Sequence, residues 1–250
     1  MDWPATAEEL VAFQADLAER AQAEEPWSPA GRPVVGGCFV AFARGEAGPG
    51  HPGDRAWAAA VVWRPVEGRR RGDLHLKGRP ADGPRRADDV LDQSVVSGRV
   101  PASYAPGLLA LREGPLLAEA VAGLAVRPDV LLVDATGLDH PRRAGLALHL
   151  GAVADLPTVG VTHRLLEATG SLPEQRRGST SPVLLAGRAV GAWVCTRTGA
   201  RPVVAHAGWR TTPETAVAVV LASSTEGART PVPLQEARRV AREARDRIAQ

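Results

Sequence analysis

Cysteine, methionine and tyrosine are nearly missing from this chain of 250 residues, which has two, one and one of them, and aromatic residues make up only 4%. Two cysteines exclude a disulfide framework, and Cys38 and Cys195 each sit in an apolar, strand-like run, as buried free thiols of a reducing compartment do. No stretch approaches the roughly 20 uninterrupted apolar residues of a membrane span. Asp2 and Pro4 stand where an export signal would carry a basic region leading into an apolar one, so a cytoplasmic protein without a membrane partner is expected. An excess of charge of one sign is also lacking: 30 basic and 28 acidic residues give a formal net charge of +2. Any surface for a polyanion must therefore be a local patch. What remains is 44% hydrophobic residues, enough to bury a substantial core, and with no repeat or linker the chain reads as one domain over residues 1–250.

Thr6, with Glu8 and Glu9 behind it, marks a helix start, and Leu10, Phe13, Leu17 and Ala21 follow at helical spacing until Pro26. Pro33–Ala43 and Arg55–Trp63 are short apolar runs across a Gly/Pro-rich turn and predict an antiparallel hairpin, with a third strand near Asp89–Gly98. Between them, residues 64–87 are poor in apolar side chains and rich in arginine (Arg69, Arg70, Arg71, Arg79, Arg85, Arg86), which predicts an exposed basic loop. A helix bent at Pro115 comes next, then a buried strand at Asp129–Val133, a helix at Ala144–Ala154 and a strand at Thr158–Thr162. Further strands are predicted near Val183–Leu185, Val190–Thr196 and Pro202–His206, then a helix from Thr212 to about Ser223 and an amphipathic closing helix. The alternation of strands and helices makes the class α/β, a sheet with covering helices.

The segment Val133–Gly151 (VDATGLDHPRRAGLALHLG) ends a buried strand on a carboxylate and continues into a glycine turn and a His-Pro-Arg-Arg corner, an arrangement typical of sites. It resembles the Val-Asp-Gly and His-Pro-Arg motifs of the endonuclease V family. The likeness continues in order through SYAPGLLALREGPLL (Ser103–Leu117), LPTVGVTHRLL (Leu156–Leu166), RGSTSPVLLAG (Arg177–Gly187) and HAGWRTTPETA (His206–Ala216). The resemblance implies an RNase H-like mixed sheet, an antiparallel meander continued by parallel strands and flanked by helices. It also implies a Mg²⁺-dependent nuclease ancestry directed at deoxyinosine or inosine.

Carried over residue by residue, the resemblance assigns Glu113 and Asp134 as metal-binding carboxylates and, with His140 and His163, as catalytic candidates. Tyr104, Pro106 and Gly107 match the family's wedge, and these with Gly137, Arg142, Phe39 and Trp209 are the expected substrate contacts. Five positions depart from the family pattern, among them Ala135 for the Gly after the Asp and Ser103 for the first Pro of the wedge. Phe39 stands where strand one carries an Asp ligand, with no Asp or Glu anywhere from Pro33 to Ala43; His163 replaces a Lys; and Trp209 replaces a His. Two-metal hydrolysis needs hard oxygen ligands bridging both ions, so the sequence predicts a degraded nuclease site with no required cofactor, Mg²⁺ serving only residual activity.

Three functions stay open on these residues. The first is nucleic-acid binding without efficient cleavage, using Tyr104 as wedge and His140, Arg142 and Arg143 against the backbone. The second is a repurposed pocket for a small-molecule ligand, with or without a partner subunit. The third is an active endonuclease V in which Asp139 or Asp54 replaces the missing ligand. One geometric expectation follows: Phe39, Glu113, Asp134, His140, His163 and Trp209 should line one pocket.

Overall fold

The computed structural model describes residues 3–44, 49–64 and 89–248, so all but the first residue of the predicted basic loop lies outside the described residues. Helix α1 (Ala7–Ala23) begins as its sequence predicts. Thr6 Oγ1 accepts from the Glu9 N–H at 3.1 Å while the Glu9 carboxylate accepts from the backbone of Ala5 at 2.8 Å and Thr6 at 3.4 Å, which satisfies orphan donors of the first turn. Leu10, Gln14 and Leu17 form its buried side.

Strands β1 (Val35–Phe42), β2 (Arg55–Trp63) and β3 (Val90–Arg99) form the antiparallel meander. Strands β4 (Val130–Val133) and β5 (Thr158–Thr162) add to β1 in parallel, and β8 (Val203–Ala207), β7 (Arg188–Val194) and β6 (Thr180–Leu185) complete the sheet antiparallel. The order is β3-β2-β1-β4-β5-β8-β7-β6, an eight-stranded mixed sheet. β6 starts three residues before its predicted position and β7 two before, while β8 is shifted one later. Helix α2 (Leu109–Ala122) runs through Pro115, and α3 (Leu146–Ala154) packs beside it. Helix α4 (Pro213–Ala222) is capped by Thr212 and opened by Pro213 at a position whose N–H needs no partner. The closing helix is α5 (Val232–Ile248).

The faces of β1 decide where the site lies. Its side chains alternate as a strand's must, so Cys38 and Val40 join the core under α2 and α3, whereas Phe39 and Ala41 pack with Ala237, Val240 and Ala241 of α5. Gly37 lets α5 approach: a Cβ there would lie 2.4 Å from the carbonyl carbon of Pro233, closer than atoms can sit. The start of α5 therefore lies directly on β1. Among the described residues no helix is long and apolar enough to cross a membrane.

Candidate functional site

At the carboxyl ends of β4 and β5 a cleft of about 520 Å³ opens, bordered by Tyr104, Gly107, Asp134, Ala135, His140 and His163. Ligands of open α/β sheets lodge at this end of the strands. The Asp134 carboxylate does not stand alone. Arg238 of α5 donates to its Oδ2 at 3.0 Å, and the same guanidinium stands 5.0 Å from the centre of the Phe39 ring, with Arg242 at 5.9 Å. One guanidinium spans both groups, so ring and carboxylate lie less than about 10 Å apart. Phe39 thus sits beside the carboxylate, as its alignment on strand one requires, but its ring faces α5 and not the open cleft.

Glu113 comes from α2 on the opposite side. Burial first, and then the charge of Asp134, push its pKa up to about 8, with Arg112 pulling the other way. The thiol of Cys38 lies in the same field: burial, then Asp134 and Glu113, raise its pKa strongly. Among the described residues no group of three or more His, Cys, Asp or Glu side chains is arranged to hold a metal ion. The two carboxylates suggested as replacement ligands are both engaged elsewhere. Asp139 is fully buried and accepts from the backbone N–H groups of Leu166 and Glu167 at 2.9 Å and Ala168 at 2.8 Å. Asp54 accepts from Arg112 at 2.9 Å and from the His51 backbone at 2.7 Å. Neither carboxylate faces the cleft in this arrangement.

Tyr104 stands at the cleft mouth with 48% of its surface exposed. The loop behind it is held from beneath. Gly107, at φ +75°, presents its carbonyl to Arg142 Nη2 at 2.7 Å and to His140 Nε2 at 3.1 Å. The Arg142 backbone N–H donates to His140 Nδ1 at 3.2 Å, so Nδ1 is the acceptor and Nε2 carries the proton given to Gly107. Burial above all pushes the His140 pKa down to about 4, which keeps this neutral tautomer near pH 7. Arg142 Nε also donates to Gln14 Oε1 at 2.7 Å, and Gln14 donates to the Ala144 carbonyl at 2.9 Å. His140 and Arg142 fasten the Tyr104–Gly107 loop to α1 and to the corner after β4, and His140 also borders the cleft.

His163 lies across the cleft from this loop. Its pKa is lowered by burial, then by Arg229, with Arg238 and Arg201 adding to the effect and Asp134 opposing it. The turn carrying it is shaped by Thr162, whose Oγ1 donates to the Arg164 carbonyl at 2.6 Å and lies 2.8 Å from Nε2 of the buried His206. Trp209 does not reach the cleft: it is 4% exposed and packs among Leu17, Ala144 and Leu148 under α1. Glu113 is likewise outside the cleft wall, and Gly137 is pressed against β8, where a Cβ would lie 2.0 Å from the Ala207 carbonyl oxygen. The expected single pocket therefore holds Asp134, His140 and His163, with Phe39 turned to α5, Glu113 on the α2 side outside the cleft wall and Trp209 in the core. Gln14, Cys38, His206 and Arg238 are site groups that motif reading missed.

An RNase H-like mixed sheet with a carboxylate at the end of β4, a second on α2 and an exposed aromatic at the cleft mouth defines a protein built on a nuclease architecture. The endonuclease V family model matches residues 85–239, and the chain belongs to the endonuclease V family. Endonuclease V of Streptomyces coelicolor is 37% identical over 208 residues, 83% of this chain and 78% of that protein. The crystal structure of endonuclease V from Streptomyces avermitilis superposes with a TM-score of 0.79 at 32% identity, covering 99% of this chain and 96% of that one. A Ciona intestinalis endonuclease V, solved with DNA containing an inosine, shares the fold at 21% identity, with a TM-score of 0.72 over 97% of this chain and 99% of that one. The match to a Roseiflexus relative, 42% identical over 137 residues, covers 55% of this chain and 62% of that relative's length.

Proposed function

We propose that this member of the endonuclease V family binds nucleic acid in the cleft, with Tyr104 as wedge, and does not cleave it efficiently by a metal-dependent route. The observation that carries the reading is the Arg238 guanidinium on Asp134. Mg²⁺ requires a near-octahedral shell of hard oxygens, and a pair of ions requires a bridging carboxylate. The residues present do not fit that group: Asp134 is paired with a cation already, Glu113 stands outside the cleft wall, Cys38 is a soft thiol and Phe39 offers no donor. Binding is favoured by the wedge loop, fixed through Gly107, Arg142 and Gln14, and by a cleft of about 520 Å³, within the range of ligand pockets. A base taken out of its stack needs such an enclosure beside an aromatic side chain. Anisotropy titrations of inosine-containing and plain oligonucleotides at two salt concentrations test this: salt-sensitive binding supports it, and none at low salt refutes it.

The names of the relatives favour a second reading, a working endonuclease V acting on inosine-containing DNA or RNA in repair. On that reading the ion pair opens and Asp134 turns to a metal when substrate binds. Ready nicking of a deoxyinosine strand by excess protein with Mg²⁺, abolished in Asp134→Ala, would establish it in place of the first.

A further inference from the structure

We infer that arginines take over the metal's part in holding the strand: a phosphodiester-binding arc runs from the cleft mouth over Asp134 into a groove along α5 formed by Arg229, Arg238 and Arg242. This deepens the binding reading above and rests on it. The groove has a volume of about 490 Å³ and adjoins the cleft through Arg238, which borders the groove and bonds the cleft's Asp134.

Charge in the groove is unevenly matched. Its two carboxylates, Glu243 and Asp246, already pair, Glu243 with Arg239 at 2.8 Å and Asp246 with Arg44 at 2.8 Å and Arg245 at 2.9 Å. Arg229 is tied only at one end, Nη2 donating to the Pro202 carbonyl at 2.7 Å, and its Nε is shielded from solvent without a hydrogen-bond partner. Arg238 gives Nη2 to Asp134, and its Nε too is shielded and unpartnered. Arg242 is exposed and packs over Phe39. The groove thus carries four arginines against two carboxylates that are already paired, an excess of positive charge that suits an anionic strand.

The acceptor chemistry follows from the donors. A guanidinium edge of Nε and Nη matches two oxygens of one phosphate, and successive guanidiniums along a groove match a phosphodiester chain. Asp134 neutralises Arg238, and Arg229 and Arg242 remain as fixed cations for the strand, so strand binding does not require Mg²⁺.

The test is fluorescence anisotropy with a labelled 12-nucleotide single strand, with and without one deoxyinosine, titrated with the full chain across a salt series in EDTA and in Mg²⁺. The variants are Arg229→Ala/Arg242→Ala and, as a single-charge control remote from the groove, Arg127→Ala, each checked for an unchanged melting curve. Wild type should bind equally in EDTA and Mg²⁺. The double variant should bind both strands about tenfold more weakly at low salt, with a slope of log affinity against log salt shallower by about 1.4, the change expected when two phosphates of a single strand are no longer neutralised, while Arg127→Ala matches wild type. A double variant with wild-type affinity and slope, or one no weaker than Arg127→Ala, overturns the arc and leaves the binding reading intact. Wild-type binding that needs Mg²⁺ overturns the replacement of metal by arginine, again leaving binding intact. Absence of binding in every buffer overturns both.

Discussion

Arg238 Nη2 lies 3.0 Å from Asp134 Oδ2, so the carboxylate that ends β4 has its cation supplied by the chain itself. Both partners keep 28–29% of their side-chain surface exposed, and solvent limits such a pair to about 1 kcal/mol or less. The pair matters for what it does to Asp134 as a ligand more than for what it adds to stability. It exists because α5 crosses β1 at close range.

That crossing is testable at Gly37. A methyl group there would collide with the Pro233 backbone at 2.4 Å, and backbone cannot step aside as a side-chain tip can. Gly37→Ala is expected to cost about 1–3 kcal/mol and to loosen α5, read as a lower urea midpoint together with faster amide exchange in Val232–Ile248. An unchanged midpoint would mean that α5 is not seated on β1 as described.

The wedge loop depends on a residue remote in sequence. Gln14 joins Arg142 at 2.7 Å to the Ala144 carbonyl at 2.9 Å and is 1% exposed. Gln14→Ala leaves a charged donor and a carbonyl without partners inside the protein, which costs about 1–3 kcal/mol. The same variant should weaken oligonucleotide binding beyond what its stability loss explains, because Gly107 would lose a fixed Arg142. Chemical denaturation and anisotropy separate the two effects.

Acid should destabilise the fold through its buried histidines. His149 stacks on Trp3 with ring centres 4.2 Å apart, neither of its ring nitrogens has a partner, and burial lowers its pKa to about 4. The unfolded chain, with a histidine near 6.5, binds the proton first. Stability is therefore full above about pH 6.5 and falls as pH drops toward 4, by roughly 1–3 kcal/mol for this residue. His149→Leu should flatten the fall in the urea midpoint between pH 7 and 4.5, leaving the part due to His140 and His206, whose pKa values are also lowered to about 4. An identical pH profile in the variant would contradict the assignment.

The sheet was legible in the sequence wherever an apolar run lay between turn signals, as at β1, β2, β4 and β5. Around β6 to β8, Thr, Ser, Gly and Ala mix freely and the boundaries slip by one to three residues. In the site, Asp134, Tyr104 and His163 were legible because motif order places them at the ends of strands and in loops. Side-chain direction was not. Trp209 follows β8 directly, yet α1 draws it into the core with Leu17, a contact made across about 190 residues of chain. Arg238 is one of several arginines on an amphipathic helix, and only the seating of α5, through Pro233, on Gly37 of β1 turns it toward Asp134. Gln14 looked like one polar position on the face of α1, and its partners Arg142 and Ala144 lie 128 and 130 residues away.

The most direct measurement is a single-turnover gel shift with excess protein, Mg²⁺ and a labelled deoxyinosine strand, the strand then being recovered from the shifted band and sized under denaturing conditions. The account expects a shifted band whose strand is intact. A shifted band yielding a strand cut near the deoxyinosine, or no shifted band at all, would contradict it.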